Sequence, residues 1–214
     1  MVDRQLRRRG IDDERVLAAM GDVPRERFLP EELRGRAYRD GALRIGEGQT
    51  MSQPWIVACM AQLLELEGSE TVLEVGTGSG YAAAVLSLLC REVVTIERYP
   101  SLAEQAREVL EELGYDNVEV RVGDGSQGAP DRGPFGGISV TATAMDTPPA
   151  ALFEQLAPGA ALVGPVDRGG RELLMRFRDG EEEAVVPVRF VPLVSEPSEP
   201  GAEKMGPADE ETGR

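Results

Sequence analysis

Residues 71–81, Thr71-Val72-Leu73-Glu74-Val75-Gly76-Thr77-Gly78-Ser79-Gly80-Tyr81, decide how the rest of this chain is read. Val72, Leu73 and Val75 are too apolar for a surface, so the first five residues are predicted to form a buried strand. Gly76, Gly78 and Gly80 follow at alternate positions, and Ala82-Ala83-Ala84-Val85-Leu86-Ser87-Leu88-Leu89 then opens a helix. Strand, glycine turn and helix in that order bring backbone N–H groups close to a ligand at the helix N-terminus. A second apolar strand, Val93-Val94-Thr95-Ile96, ends at Glu97, twenty-one residues after Gly76. In doubly wound nucleotide-binding folds a carboxylate at that place accepts hydrogen bonds from a ribose diol.

A dinucleotide site needs G-x-G-x-x-G, and here Tyr81 stands where the third glycine belongs. The observed G-x-G-x-G, with Glu74 two residues ahead of it, resembles the first motif of S-adenosylmethionine-dependent methyltransferases with a Rossmann-like sheet. A structural turn without a ligand is the bland alternative. Glu97 and a later Gly123-Asp124-Gly125 weigh against it.

The 214 residues fit one domain with a small extension. A net charge of −15 argues against a nucleic-acid partner, because phosphate binding needs a basic surface. Lys204 is the only lysine, beside twenty-two arginines. Cys59 and Cys90 both fall in apolar helical patterns and are expected as buried thiols. With no histidine and no cysteine cluster, a zinc site is not expected. The commonest general base is missing as well, so the chemistry should need little proton transfer. The charged N-terminus has no apolar core of signal-peptide type, and no run approaches a membrane span. A cytoplasmic protein is the expectation.

In chain order, residues 2–20 are predicted to be helical, with Arg4, Arg7, Arg8 and Arg9 read as a solvated face rather than an anion site. Polar residues 47–53 are read as a loop before the apolar helix that starts near Pro54. Ser52 is expected as its N-cap, with exposed N–H groups and a hydroxyl suited to an anion. Pro100 to Leu113 reads as a helix ended by Gly114, and Val118 to Val122 as a strand. Gly123-Asp124-Gly125 closes that strand, where Asp124 is expected to accept from an adenine amino group rather than merely make a turn. Phe135 to Thr143 is the next strand and its exit. A helix at 149–156, a strand at 160–165 and an antiparallel pair, 171–178 and 184–190, follow. From Ser195 the composition turns acidic and aperiodic, which predicts a disordered tail.

The run Ile45-Gly46-Glu47-Gly48-Gln49-Thr50-Met51-Ser52-Gln53-Pro54 makes the resemblance specific. Together with residues 71–81, Thr95-Ile96-Glu97-Arg98, Val122-Gly123-Asp124-Gly125, Leu156-Ala157-Pro158-Gly159 and Arg189-Phe190-Val191-Pro192-Leu193, it is similar to the protein-L-isoaspartate O-methyltransferase family over about residues 4–194. The chain departs from the family at Gly136, where an acidic residue is usual. The resemblance implies a doubly wound, three-layer α/β fold: a helical extension and substrate loop over 1–52, a methyltransferase domain over 53–194, and the tail over 195–214. It implies methyl transfer from S-adenosylmethionine, leaving S-adenosylhomocysteine, to the α-carboxylate of L-isoaspartyl residues in damaged proteins; separately, a monomer is expected.

The implied cofactor contacts are Thr50, Glu74, Gly76, Thr77, Gly78, Ser79, Gly80, Glu97, Arg98, Asp124 and Gly125. Ser52 is the implied catalytic residue, holding the substrate carboxylate with Thr50, while Val191, Pro192 and Leu193 close over the substrate. The chemistry agrees with the missing histidine. An α-carboxylate, with a pKa of roughly 3.5, is already an ionised nucleophile at neutral pH. Two alternatives stay open at this point: methylation of another small carboxylate or metabolite, and cofactor binding without catalysis.

Overall fold

The structure, a computed structural model, describes residues 1–194; the acidic tail expected from Ser195 lies outside them. The strands are β1 (Leu43–Gly46), β2 (Gln49–Met51), β3 (Thr71–Val75), β4 (Glu92–Glu97), β5 (Val118–Val122), β6 (Phe135–Val140), β7 (Ala144–Met145), β8 (Leu156–Asp167), β9 (Glu172–Arg178) and β10 (Glu181–Pro187). The helices are α1 (Glu14–Asp22), α2 (Pro54–Leu63), α3 (Tyr81–Ser87), α4 (Pro100–Glu112) and α5 (Ala150–Phe153). β1 and β2 form a separate hairpin; the others make one sheet in the order β10-β9-β8-β6-β3-β4-β5, with β7 beside β8.

β3 is central because both of its faces are apolar. Val72 pairs with Val93 and Gly137, and Val75 with Ile96 and Val140, all in parallel register. Alternate side chains go to opposite layers. Val72 and Val93 pack with Tyr81, Leu102 and Leu110 on one face, whereas Leu73, Val75, Val94, Ile96 and Ile138 pack with Leu152 on the other. Each such side chain, fully buried, stabilises the fold by about 1.5–3 kcal/mol.

From β3 the chain winds outward through β4 to β5, then returns to the other side of β3 as β6. The strand order reverses there, and the carboxyl ends of β3 and β6 flank the crevice that results. β9 and β10 are antiparallel additions beyond β8. Because β10 ends where Pro187 pairs with Leu173, residues 188–194 arrive at this same end of the sheet.

Several expected elements differ in extent. The helix predicted over 2–20 is broken: Val2–Leu6 and Arg7–Arg9 are short helical segments, Gly10 has φ 89°, and α1 starts only after Asp13. The Asp13 carboxylate accepts the N–H groups of Arg15 and Val16, which makes it the cap of a new helix. Ser52 does not cap α2. Proline at the first helical position keeps its predecessor extended, so Gln53 takes the cap position, and no side chain bonds there. Residues read as loop form the β1–β2 hairpin, whose two-residue turn has φ 48° at Glu47 and 68° at Gly48. The helix expected at 149–156 contracts to α5, because Leu156 already pairs with Phe135 as the start of β8.

Gly136 also has a structural account. A Cβ there would lie 2.5 Å from Cγ of Glu70. Glu70 occupies that space and accepts the N–H groups of Glu67 and Gly68 at 2.6 and 2.7 Å. The two cysteines are buried free thiols, as expected. The N-terminal arginines are exposed, with Arg7 paired to Glu14 and Arg9 to Asp40.

Candidate functional site

A cavity of about 740 Å³ opens at the carboxyl ends of β3, β4 and β6. Its floor is the glycine turn. Gly76 turns with φ 97°, and a Cβ on it would fall 2.2 Å from Thr141 Oγ1, just past β6. That hydroxyl lies 3.0 Å from the Val75 carbonyl and 2.8 Å from that of Gly76. Side-chain-free backbone is therefore a requirement of this crossing. Gly80, with φ 85°, ends the turn where a Cβ would come within 3.2–3.3 Å of Leu110 and Ala106 on α4.

Glu97, at the end of β4, ties the turn down. Its Oε2 accepts the Gly78 N–H at 2.8 Å and its Oε1 accepts the Tyr99 N–H at 3.0 Å. An ionised carboxylate has about four acceptor positions, so two remain for a ligand. Among the described residues, the charged members of the lining are Glu97, Arg98 and Arg189. Among the described residues of the lining, no side chain is an aliphatic amine or an imidazole.

Beneath the turn lies a buried carboxyl. Thr95 Oγ1 donates to Glu74 Oε2 at 2.6 Å and sits 2.7 Å from Thr77 Oγ1. Burial pushes the Glu74 carboxyl up to about 8, against the Thr95 hydrogen bond and with a smaller push from Glu97. Glu74 is fully buried and does not line the cavity, because alternation along β3 turns it into the helical layer. It supports Thr77, which does line it.

The remaining walls come from both ends of the described chain. Thr50 of β2 and Ser52 after it line one side, and neither hydroxyl makes a hydrogen bond with the described residues. The opposite side is the segment 187–194. Its course is fixed by Glu172, whose carbonyl accepts from Val188 N and whose Oε2 accepts from Phe190 N at 2.9 Å. Thr143 continues the attachment, donating its N–H to Val191 O at 2.7 Å and accepting from Leu193 N at 2.8 Å.

The structure thus brings Thr50, Ser52, Gly76, Thr77, Gly78, Ser79, Glu97, Arg98, Gly125, Val191, Pro192 and Leu193 around one cavity. Glu74, Gly80 and Asp124 stand behind the lining. Asp124 caps the short helical turn Gly125–Gln127 by accepting the Ser126 N–H, so the Asp-Gly turn reading holds for at least one of its oxygens. Sequence reasoning passed over Thr141, Glu172 and Arg25. Thr141 was legible as the first polar residue past an apolar strand. Glu172 and Arg25 carried no such signal among 38 acids and twenty-two arginines.

The parallel sheet with its reversal at β3 and a glycine turn over that point define a Rossmann-like methyltransferase fold. The family model of protein-L-isoaspartate(D-aspartate) O-methyltransferase matches residues 1–198. A protein-L-isoaspartate O-methyltransferase 2 of Anaeromyxobacter sp. (strain Fw109-5) is 53% identical over 198 residues, covering 90% of this chain and 81% of that protein. A solved protein-L-isoaspartate O-methyltransferase superposes with a TM-score of 0.77 at 30% identity, over 87% of this chain and 62% of the other, under two thirds of its length. A Plasmodium falciparum protein of that description, solved with S-adenosylhomocysteine, gives 0.75 at 26% identity, over 88% and 94%. The chain belongs to the protein-L-isoaspartate(D-aspartate) O-methyltransferase family.

Proposed function

We propose that this chain is a protein-repair enzyme that moves the methyl group of S-adenosylmethionine to the free α-carboxylate of L-isoaspartyl residues. Family membership supports the cofactor, and the site supports the acceptor. The observation that carries the acceptor is the pair of hydroxyls on Thr50 and Ser52, which line the cavity without a hydrogen-bond partner among the described residues; the one carboxylate in the described lining, Glu97, is engaged by the N–H groups of Gly78 and Tyr99. A carboxylate suits such a site because it is already an ionised nucleophile at neutral pH and needs no proton removed before it attacks.

The residues fit the cofactor. The glycine turn leaves backbone exposed at the start of α3, and Glu97 has two acceptor positions to spare for ribose hydroxyls. Gly76, Thr77, Gly78, Ser79 and Gly80 would hold the methionine and ribose portion, with Glu74 acting through Thr77 and Arg98 beside the ribose. Gly125 and Asp124 would hold adenine. Bound there, S-adenosylmethionine supplies a methyl group already activated by its sulfonium. Ser52 and Thr50 orient the acceptor carboxylate with hydroxyls that no other described group engages. Val191, Pro192 and Leu193 cover the peptide backbone and exclude water. Positioning of this kind lowers a barrier by about 7–11 kcal/mol without proton transfer.

This reading takes the enzyme as a cytoplasmic monomer. Among the described residues the exposed large apolar side chains are Tyr38, Leu88, Val122, Met145 and Val194. No helix among the described residues is long and apolar enough to cross a membrane. The test is transfer of labelled methyl onto an isoaspartyl peptide and its aspartyl twin. Label on the isoaspartyl peptide alone is expected. Equal labelling, or none despite S-adenosylhomocysteine binding, would overturn the acceptor assignment.

A further inference from the structure

Arg25 opens the short helical segment Arg25–Phe28, outside the cavity, and nothing in the chemistry above uses it. It is completely buried. Its Nε donates to the Ala37 carbonyl at 2.8 Å, and its Nη2 donates to the Ser52 carbonyl at 2.6 Å. The guanidinium lies over the ring of Tyr81, 4.5 Å from the centroid. Tyr81 is the first residue of α3, directly after the glycine turn. Among the described residues its hydrogen bonds go to carbonyls and not to a carboxylate, and its Nη1 has no hydrogen-bond partner.

Burying a cation without a counter-anion is costly, and the aromatic face and two carbonyls offset only part of that cost. A residue kept there for stability alone would be better replaced by an apolar one of similar volume. The placement is informative. One guanidinium spans the loop that carries Ser52 and the helix that begins at the cofactor turn, so it fixes the distance between the two halves of the cavity. Arginine suits this because its planar fork reaches two carbonyls at a set angle while stacking on a ring. Lysine can do only one of these.

We propose that Arg25 is a positioning residue for the acceptor: it clamps the Ser52 carbonyl against Tyr81, which places the Ser52 hydroxyl relative to the cofactor turn and adds positive charge behind the acceptor carboxylate. The proposal rests on the reading of Ser52 as the acceptor-holding residue.

The experiment compares wild type, Arg25→Lys and Arg25→Met by two readouts. In steady-state kinetics, kcat/KM for an isoaspartyl peptide is expected to fall about 30-fold in Arg25→Met and about fivefold in Arg25→Lys, with S-adenosylhomocysteine affinity within twofold of wild type. In a Ser52→Ala background the same substitutions should change kcat/KM less than threefold, because the clamped hydroxyl is already gone. Hydrogen exchange is independent of activity. The amides of residues 49–53 should exchange at least tenfold faster in Arg25→Lys, while those of residues 76–80 keep the wild-type rate. Unchanged exchange at 49–53 overturns the proposal, as does a loss of cofactor and acceptor binding in proportion to unfolded protein. Should Arg25→Met fail to fold, Arg25→Lys decides alone. A wild type that does not methylate isoaspartyl peptide sinks the proposed function, while the exchange data still decide the clamp.

Discussion

The two halves of the cavity are built in different ways. The half proposed to hold the cofactor, from β3 to Gly125, lies at the ends of buried parallel strands, and its shape follows from the sheet. The acceptor half consists of the β1–β2 hairpin with Ser52 and the segment 188–194, which belong to no parallel strand. Side chains from distant places hold it: Arg25 on the first wall, Glu172 and Thr143 on the second. Core packing sets the first half, and a few polar contacts set the second.

Gly76→Ala gives the largest effect and tests whether the cofactor half is as rigid as this contrast requires. The new Cβ would stand 2.2 Å from Thr141 Oγ1 at a φ of 97°. Cofactor affinity is expected to fall at least about 100-fold, since close-packed strand ends have little room to yield. Calorimetry with S-adenosylhomocysteine measures this. A loss below tenfold would show that the turn adapts, and the contrast would break.

Ser52→Asp comes next and addresses the acceptor half. Ser52 caps no helix, so the substitution should move the melting temperature by only a degree or two. It puts a negative charge where a carboxylate must approach, and turnover on isoaspartyl peptide should drop about 10²-fold with cofactor binding unchanged. Near-normal methylation would remove Ser52 from the acceptor site.

Glu74→Gln has the smallest effect on turnover, expected to stay within about threefold at pH 7, and sharpens the picture of the layer beneath the turn. Burial raises the folded pKa of Glu74 to about 8 from an ordinary 4.5. Above pH 4.5 the unfolded chain has lost this proton while the folded chain keeps it, so stability from this group falls as pH rises, until about pH 8. Thermal melts from pH 5 to 8 should therefore decline more steeply for wild type than for Glu74→Gln. Parallel curves would place the proton elsewhere.

The same contrast explains what could be read in the sequence. β3, the glycine turn, β4 and Glu97 were legible because local pattern determines them: apolar runs make buried strands, and alternate glycines make a turn that side chains would block. The β1–β2 hairpin was read as loop, because its turn puts Glu47 at a positive φ that a Gly-rich stretch does not announce. The Ser52 cap failed for a local reason that was available, since a proline at the first helical position moves the cap to Gln53. The supports of the acceptor half were not legible. Arg25 meets Ser52 across 27 positions, and Glu172 meets Phe190 across 18, through contacts that leave no periodic trace.

The placement of β10 has one more consequence, in the order of synthesis. Every residue proposed above to hold the cofactor is made by residue 125, whereas the wall proposed to cover the acceptor comes only at residues 188–194. A nascent chain that has emerged as far as β8 already contains the glycine turn, Glu97, Gly125 and both strands that pair with β3 in the folded protein. It has no cover over the acceptor. On the reading proposed above, such a chain has the residues for the cofactor before it has those that cover the acceptor.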